Sequence, residues 1–149
     1  MGDYEMKQCT LSFFLLTILF FSCNSERNKV DDAVISYWEQ HKMERKVIID
    51  FSKSFNFNWD TLCFYSSGCS LEEINADLGF PLTQYTDLAD RMVFLNHGKM
   101  VYIAGWWYSP NSSQGIRLNT PTNIFKVKRN AAKFYIMKKG NAFILKPYP

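Results

Sequence analysis

The chain has 149 residues, 17 of them basic and 14 acidic, with 47% hydrophobic and 21% charged positions. That size admits one domain and argues against two full ones, and the apolar and charged shares exclude a disordered chain. Seven Gly and five Pro exclude collagen-like or low-complexity sequence, no repeat of solenoid length is present, and a 17% aromatic share predicts a core filled largely with rings.

Leu11-Ser12-Phe13-Phe14-Leu15-Leu16-Thr17-Ile18-Leu19-Phe20-Phe21-Ser22 is a 12-residue run with nine apolar positions. About 20 apolar residues are needed to cross a bilayer as a helix, so this run has the length of the apolar region of a secretory signal. Asp3 and Glu5 spoil a basic start, whereas Met6-Lys7-Gln8 supplies one, so Met6 reads as the initiator. Cys23 closes the run and the polar stretch Asn24 to Lys29 follows. Phe20-Phe21-Ser22-Cys23 resembles a lipobox, the cleavage site of bacterial lipoproteins, in the loose form common in Bacteroidota. The usual Leu and the Ala or Ser of the first two positions are both Phe here. The resemblance implies a signal peptide over 1–22, acylation of Cys23, and a tether over 23–29 that leads into one domain over 30–149. Two or more acyl chains at about 0.8 kcal/mol per buried methylene would hold that domain to a membrane.

Val30, Ala33, Val34, Tyr37, Trp38 and His41 follow the i, i+3, i+4 spacing of one helical stripe. With Asp31 and Asp32 early and Lys42, Arg45 and Lys46 late, as the helix dipole favours, a helix is expected over 30–45. Val47-Ile48-Ile49-Asp50-Phe51 is β-branched and predicts a strand. Phe55-Asn56-Phe57-Asn58-Trp59 alternates apolar with polar and leads into Leu62-Cys63-Phe64-Tyr65, an interior strand. Ser66-Ser67-Gly68 breaks it. Ser70 and Glu73 form an S-x-x-E capping box for a second helix over 71–78, which Gly79 and Pro81 stop. Residues 82–90 are polar and predict a loop. Met92–Leu95 and Met100–Ala104 flank a turn at Asn96-His97-Gly98-Lys99, and Phe134–Met137 and Ala142–Leu145 flank another at Lys138-Lys139-Gly140-Asn141. Phe125 and Val127 alternate with lysines, and Ser109–Asn123 predicts a long connection of the kind that is often functional. The order implies an α+β fold, an antiparallel β-sheet with one or two helices packed on one face.

Cys9 would leave with the signal and Cys23 would carry lipid, which leaves Cys63 and Cys69. An even pair in an exported domain reads as a disulfide, contributing roughly 2–3 kcal/mol for so short a loop. Two free thiols are the alternative. A metal or catalytic role is disfavoured, because C-x5-C is not a zinc spacing and the chain has two histidines. Charge is uneven: residues 23–90 carry 6 basic and 12 acidic groups, residues 91–149 carry 10 basic and none acidic. Such asymmetry either steers an anionic partner or neutralises itself across one domain.

Phe57-Asn58-Trp59-Asp60-Thr61-Leu62, Ser70-Leu71-Glu72-Glu73-Ile74 and Leu78-Gly79 together resemble a family of small uncharacterised bacterial lipoproteins, over about residues 47–103. That likeness implies the fold and no activity. His41 on the apolar stripe predicts a packed histidine, His97 an exposed turn, and Asp60 a loop tie. No nucleophile elbow, phosphate loop or paired carboxylates appear, so neither catalysis, metal nor cofactor is expected. Trp106-Trp107-Tyr108 alternates, with Trp107 facing opposite to the other two. The expected function is a non-enzymatic protein-binding module of the cell envelope, anchored in the outer membrane and facing the periplasm or the outside. Immunity, inhibitor or assembly-accessory roles fit it, acting through the sheet face and the 109–123 connection, without nucleic acid. The alternative is a carbohydrate- or lipid-binding module using Trp106, Trp107 or Tyr108. A hydrolase is the remaining reading, and it needs His41 or His97 beside Asp60 or a cysteine.

Overall fold

The computed structural model describes residues 28–107 and 114–149. Helix α1 (Lys29–His41) begins where the Asn28 side chain accepts hydrogen bonds from the Val30 and Asp31 amides. It ends four residues earlier than the stripe suggested, with Lys42 as its cap. The basic residues beyond it lie in a turn where Met43 is exposed. Val30 and Val34 enter the core, and the Trp38 indole meets Phe143 edge to face at 6.0 Å.

Strand β1 (Val47–Asp50) follows, then β2 (Thr61–Tyr65), helix α2 (Leu71–Leu78), β3 (Ala89–Asn96) and β4 (Lys99–Trp107). After the connection come β5 (Gln114–Leu118), β6 (Ile124–Lys128), β7 (Lys133–Lys139) and β8 (Asn141–Pro147). The fold is α+β, but in place of one sheet the described residues form two of four strands each, ordered β1-β7-β8-β5 and β4-β3-β2-β6. Every neighbouring pair is antiparallel except β5 with β8, which run parallel. β5 corrects the expected structureless connection. Gly115 sits at φ +82°, and a Cβ there would lie 3.2 Å from the Trp106 ring, so no other residue fits without strain. The His97-Gly98 turn of the β3–β4 hairpin also has both residues at positive φ, 51° and 72°, the twist that two-residue hairpins prefer.

The main core lies between the sheets and includes α1. Leu62, Phe64, Met92, Phe94 and Trp106 come from the second sheet, and Ile49, Phe134, Ile136, Ile116 and Leu145 from the first. Residues 54–60 form no strand, although their alternation suggested extended backbone. Phe55, Phe57 and Trp59 instead surround Phe94 at ring separations of 5.1, 5.4 and 5.2 Å, with Tyr102 at 5.9 Å. Their alternation serves inward projection of rings from an irregular segment. Arg129 locks this segment: its Nε and Nη2 donate to the Ser52 carbonyl and its Nη1 to that of Trp59.

A second apolar cluster covers the opposite face of the second sheet. Cys63, Tyr65, Val93 and Leu95 meet Ile74, Leu71 and Leu78 of α2 there. The capping box is complete, Glu73 N donating to Ser70 Oγ and Ser70 N to Glu73 Oε2, and Gly79 ends the helix at φ 80°. The buried Tyr65 hydroxyl donates to Asp77 at 2.6 Å, and Lys126 pairs with that carboxylate at 2.8 Å, tying α2 down.

Candidate functional site

Cys23, the signal region and Tyr108 lie outside the described residues, as do 109–113 of the connection. Cys63 and Cys69 are both within them and both free, which corrects the expected disulfide. Each is buried in the α2 cluster, and the Cys69 thiol is directed at the Asn123 carbonyl, 3.4 Å away. Burial pushes both thiols above their ordinary value, so the reactive thiolate is disfavoured. In the folded protein, iodoacetamide is expected to leave the Cys63 and Cys69 peptides unmodified, and to label both once urea unfolds the chain. Peptide mass spectrometry reads this out, and reductant should leave the thermal midpoint unchanged.

The histidines and Asp60 do not assemble a hydrolytic site. Asp60 Oδ2 accepts from the backbone amide of His97 at 2.6 Å, and Oδ1 from the Thr61 hydroxyl at 2.6 Å. The imidazole of His97 is not the donor, and the carboxylate serves as the expected loop tie, anchoring the β3–β4 turn. These hydrogen bonds, Thr61 first and His97 next, hold the Asp60 carboxyl below its ordinary 3.8. A carboxyl depressed by folding stabilises the fold above its unfolded value, and that contribution is lost as pH falls through the lower folded value. Urea midpoints taken from neutral pH downward should therefore fall below about pH 4, and less steeply in Asp60→Asn. His41 stacks on Tyr37 at 4.1 Å, and its Nδ1 lies 2.6 Å from Glu44 Oε1 at the surface. Among the described residues no three His, Cys, Asp or Glu side chains are grouped to hold a metal. No described helix is long and apolar enough to cross a membrane.

Two surfaces remain. The first is the face of β1, β7 and β8 turned away from the core. Because Ile49, Phe134, Ile136, Phe143 and Leu145 point inward, the alternate residues point out. The register sets Ile48 beside Tyr135 and Tyr135 beside Lys146, then Met137 beside Ile144. None of Ile48, Tyr135, Met137 or Ile144 joins either apolar cluster, and Met137 is 43% exposed. Lys133, Lys139 and Lys146 border this apolar strip, and none has a carboxylate at ion-pair distance among the described residues. Lys46 lies over the Tyr135 ring at 6.0 Å. Asp50 and Glu44 are the acids beside this face: Ser52 occupies Oδ1 of Asp50 with both amide and hydroxyl, and Glu44, whose Oε1 meets His41, lines a recess with Tyr135, Met137 and Lys146. The basic half of the chain is thus neutralised in part, through Arg117–Asp90 and Lys126–Asp77, and concentrated in part on this face.

The second surface lies at the end of β4. Trp106 is buried, and its Nε1 donates to Asp31 Oδ1 at 2.8 Å, stitching β4 to the start of α1. Trp107 faces the other way and is 61% exposed. Of the aromatic triplet, one residue is therefore structural and one is available at the surface. Trp107 borders a cleft of about 310 Å³ together with Gln84, Thr86, Ala89, Arg91, Ile103 and Gly105. Arg91 was legible in the sequence as one basic residue on a strand. The signal that could have singled it out is a charge inside the run Ala89–Leu95, otherwise largely apolar.

No protein-family model matches this chain, and neither a curated protein nor a solved structure resembles it significantly.

Proposed function

We propose that this chain is a membrane-anchored lipoprotein of the bacterial cell envelope whose domain binds an acidic protein partner without catalysis. The open face of β1, β7 and β8 is the observation that carries the reading: an apolar strip framed by lysines, with neither of the described helices, α1 and α2, packed on it. Interfaces combine an apolar centre with a polar rim, and complementary charge raises the rate and selectivity of encounter. The anchor follows from the lipobox-like sequence ending at Cys23, which would keep this face near the membrane surface without using it for attachment.

The test uses the full chain in its own cells, with a photo-crosslinking residue in place of Met137 and, as a control, of the buried Ile136. The expected result is one crosslinked protein from the Met137 position, one that presents an acidic surface and co-purifies with the chain. Lys133→Glu with Lys146→Glu should weaken that complex by about tenfold or more. Crosslinks to lipid alone, or equal capture from both positions, overturn the reading. Labelling with a clickable fatty acid, lost in Cys23→Ser, tests the anchor separately.

A further inference from the structure

Arg91 is a cation in an unusual position. It is 3% exposed, and no carboxylate lies within ion-pair distance of it among the described residues. Its Nη2 donates to the Thr86 carbonyl, and its guanidinium lies over the Tyr85 ring at 4.6 Å. Its Nη1 is shielded from bulk water and has no hydrogen-bond partner among the described residues. Burying a charge without a counter-charge opposes folding, and leaving its donors unmade adds to that penalty. An acid does stand next to it in the chain, but strand alternation turns Asp90 to the other face. There the Asp90 carboxylate is occupied by the Ser67 amide and by Arg117.

The surroundings of Arg91 form a built recess. In the β3–β4 register Arg91 is paired with Gly105 and Ala89 with Trp107. Across the strand pair from Arg91 there is consequently no side chain, and across from Trp107 there is a methyl group. A Cβ added at Gly105 would have Asp90 O, at 3.8 Å, as its nearest neighbour, which is ordinary contact. The glycine therefore keeps the floor open, since the backbone does not demand it. Trp107 forms one wall, Ile103 extends the apolar lining, and Gln84 and Thr86 add polar groups.

We propose that this cleft binds a small ligand carrying a carboxylate on a ring, the carboxylate meeting Arg91 and the ring face lying on Trp107. Arg91 lines the cleft and its guanidinium supplies charge-assisted donors to the carboxylate, while the exposed indole supplies the stacking surface. Acidic sugars and aromatic acids share this chemistry. The site is on the second sheet and stands independently of the open face of the first.

The test uses the full chain in detergent micelles, labelled with 5-fluorotryptophan, and 19F spectra. The four tryptophans give separate signals, and Trp107→Phe assigns the one of interest. D-glucuronate and benzoate, each titrated to about 10 mM, distinguish the sugar and aromatic arms, with glucose and benzyl alcohol as neutral controls. The expected result is a saturable shift of the Trp107 signal with at least one acid and none with its neutral control. Arg91→Gln should weaken it at least about tenfold. Should Arg91→Gln fail to fold, Gly105→Val keeps the cation, fills the floor and should abolish the shift while the other three signals stay in place. The proposal is overturned if neither acid moves the Trp107 signal, if neutral controls move it equally, or if the shift survives in Gly105→Val.

Discussion

Phe94→Ala is expected to destabilise the domain by about 3–5 kcal/mol and to lower the thermal midpoint by roughly 10–20 °C. Phe94 is fully buried and meets four other rings, those of Phe55, Phe57, Trp59 and Tyr102. Three of the four come from a segment without regular secondary structure, so no backbone ladder holds them once the central ring is gone. The loss therefore includes a cavity and loosening of residues 54–60. Whole-domain stability is on the order of 5–15 kcal/mol, so the variant should be near unfolding at physiological temperature. Urea unfolding followed by tryptophan fluorescence measures it, with Val101→Ala, at a half-exposed site, expected to change stability by less than about 0.5 kcal/mol. A Phe94→Ala loss below about 1 kcal/mol would contradict this account of the core.

The second large effect is expected at Arg129. Its guanidinium satisfies the Ser52 and Trp59 carbonyls and lies over the Trp59 ring at 5.6 Å. It thereby joins the turn after β1 to the segment that enters β2, and hence one sheet to the other. Arg129→Met should destabilise by about 2–3 kcal/mol, since hydrogen bonds from a charged donor are lost and carbonyls are stranded. Arg129→Lys should recover less than half of that, because an ammonium is not a planar fork and cannot serve both carbonyls. Full rescue by lysine would show that charge alone, and not the geometry of the clamp, is what this site requires.

Local chemistry made several elements legible in the sequence. The Ser70–Glu73 box with Gly79 set both ends of α2, and His97-Gly98 set the register of the β3–β4 hairpin, because each signal acts within a few residues. The end of α1 was misplaced because basic residues past His41 suit a helix terminus equally well just outside it. β5 was hidden for a different reason. Gln114, Gly115 and Arg117 give it no apolar period, Ile116 is its one fully buried residue, and its partner β8 lies far along the chain. The cysteine pair reads as a disulfide from its even number in an exported domain, which carries no geometry, whereas the Cys69 thiol is turned to Asn123. At the candidate sites, the exposure of Trp107 followed from alternation. The isolation of Arg91 did not, since it depends on which face Asp90 takes and on the glycine across the strand pair.

The position of β8 within its sheet has a consequence for biosynthesis. β8 is the last strand to leave the ribosome among the eight described, yet it lies inside its sheet, between β7 and β5. The other sheet is complete once residue 128 has emerged. A nascent chain halted before residue 141 would therefore hold one finished half and one half with two unzipped borders. Such an intermediate exposes, on β7 and β5, hydrogen-bonding backbone that β8 conceals in the finished sheet.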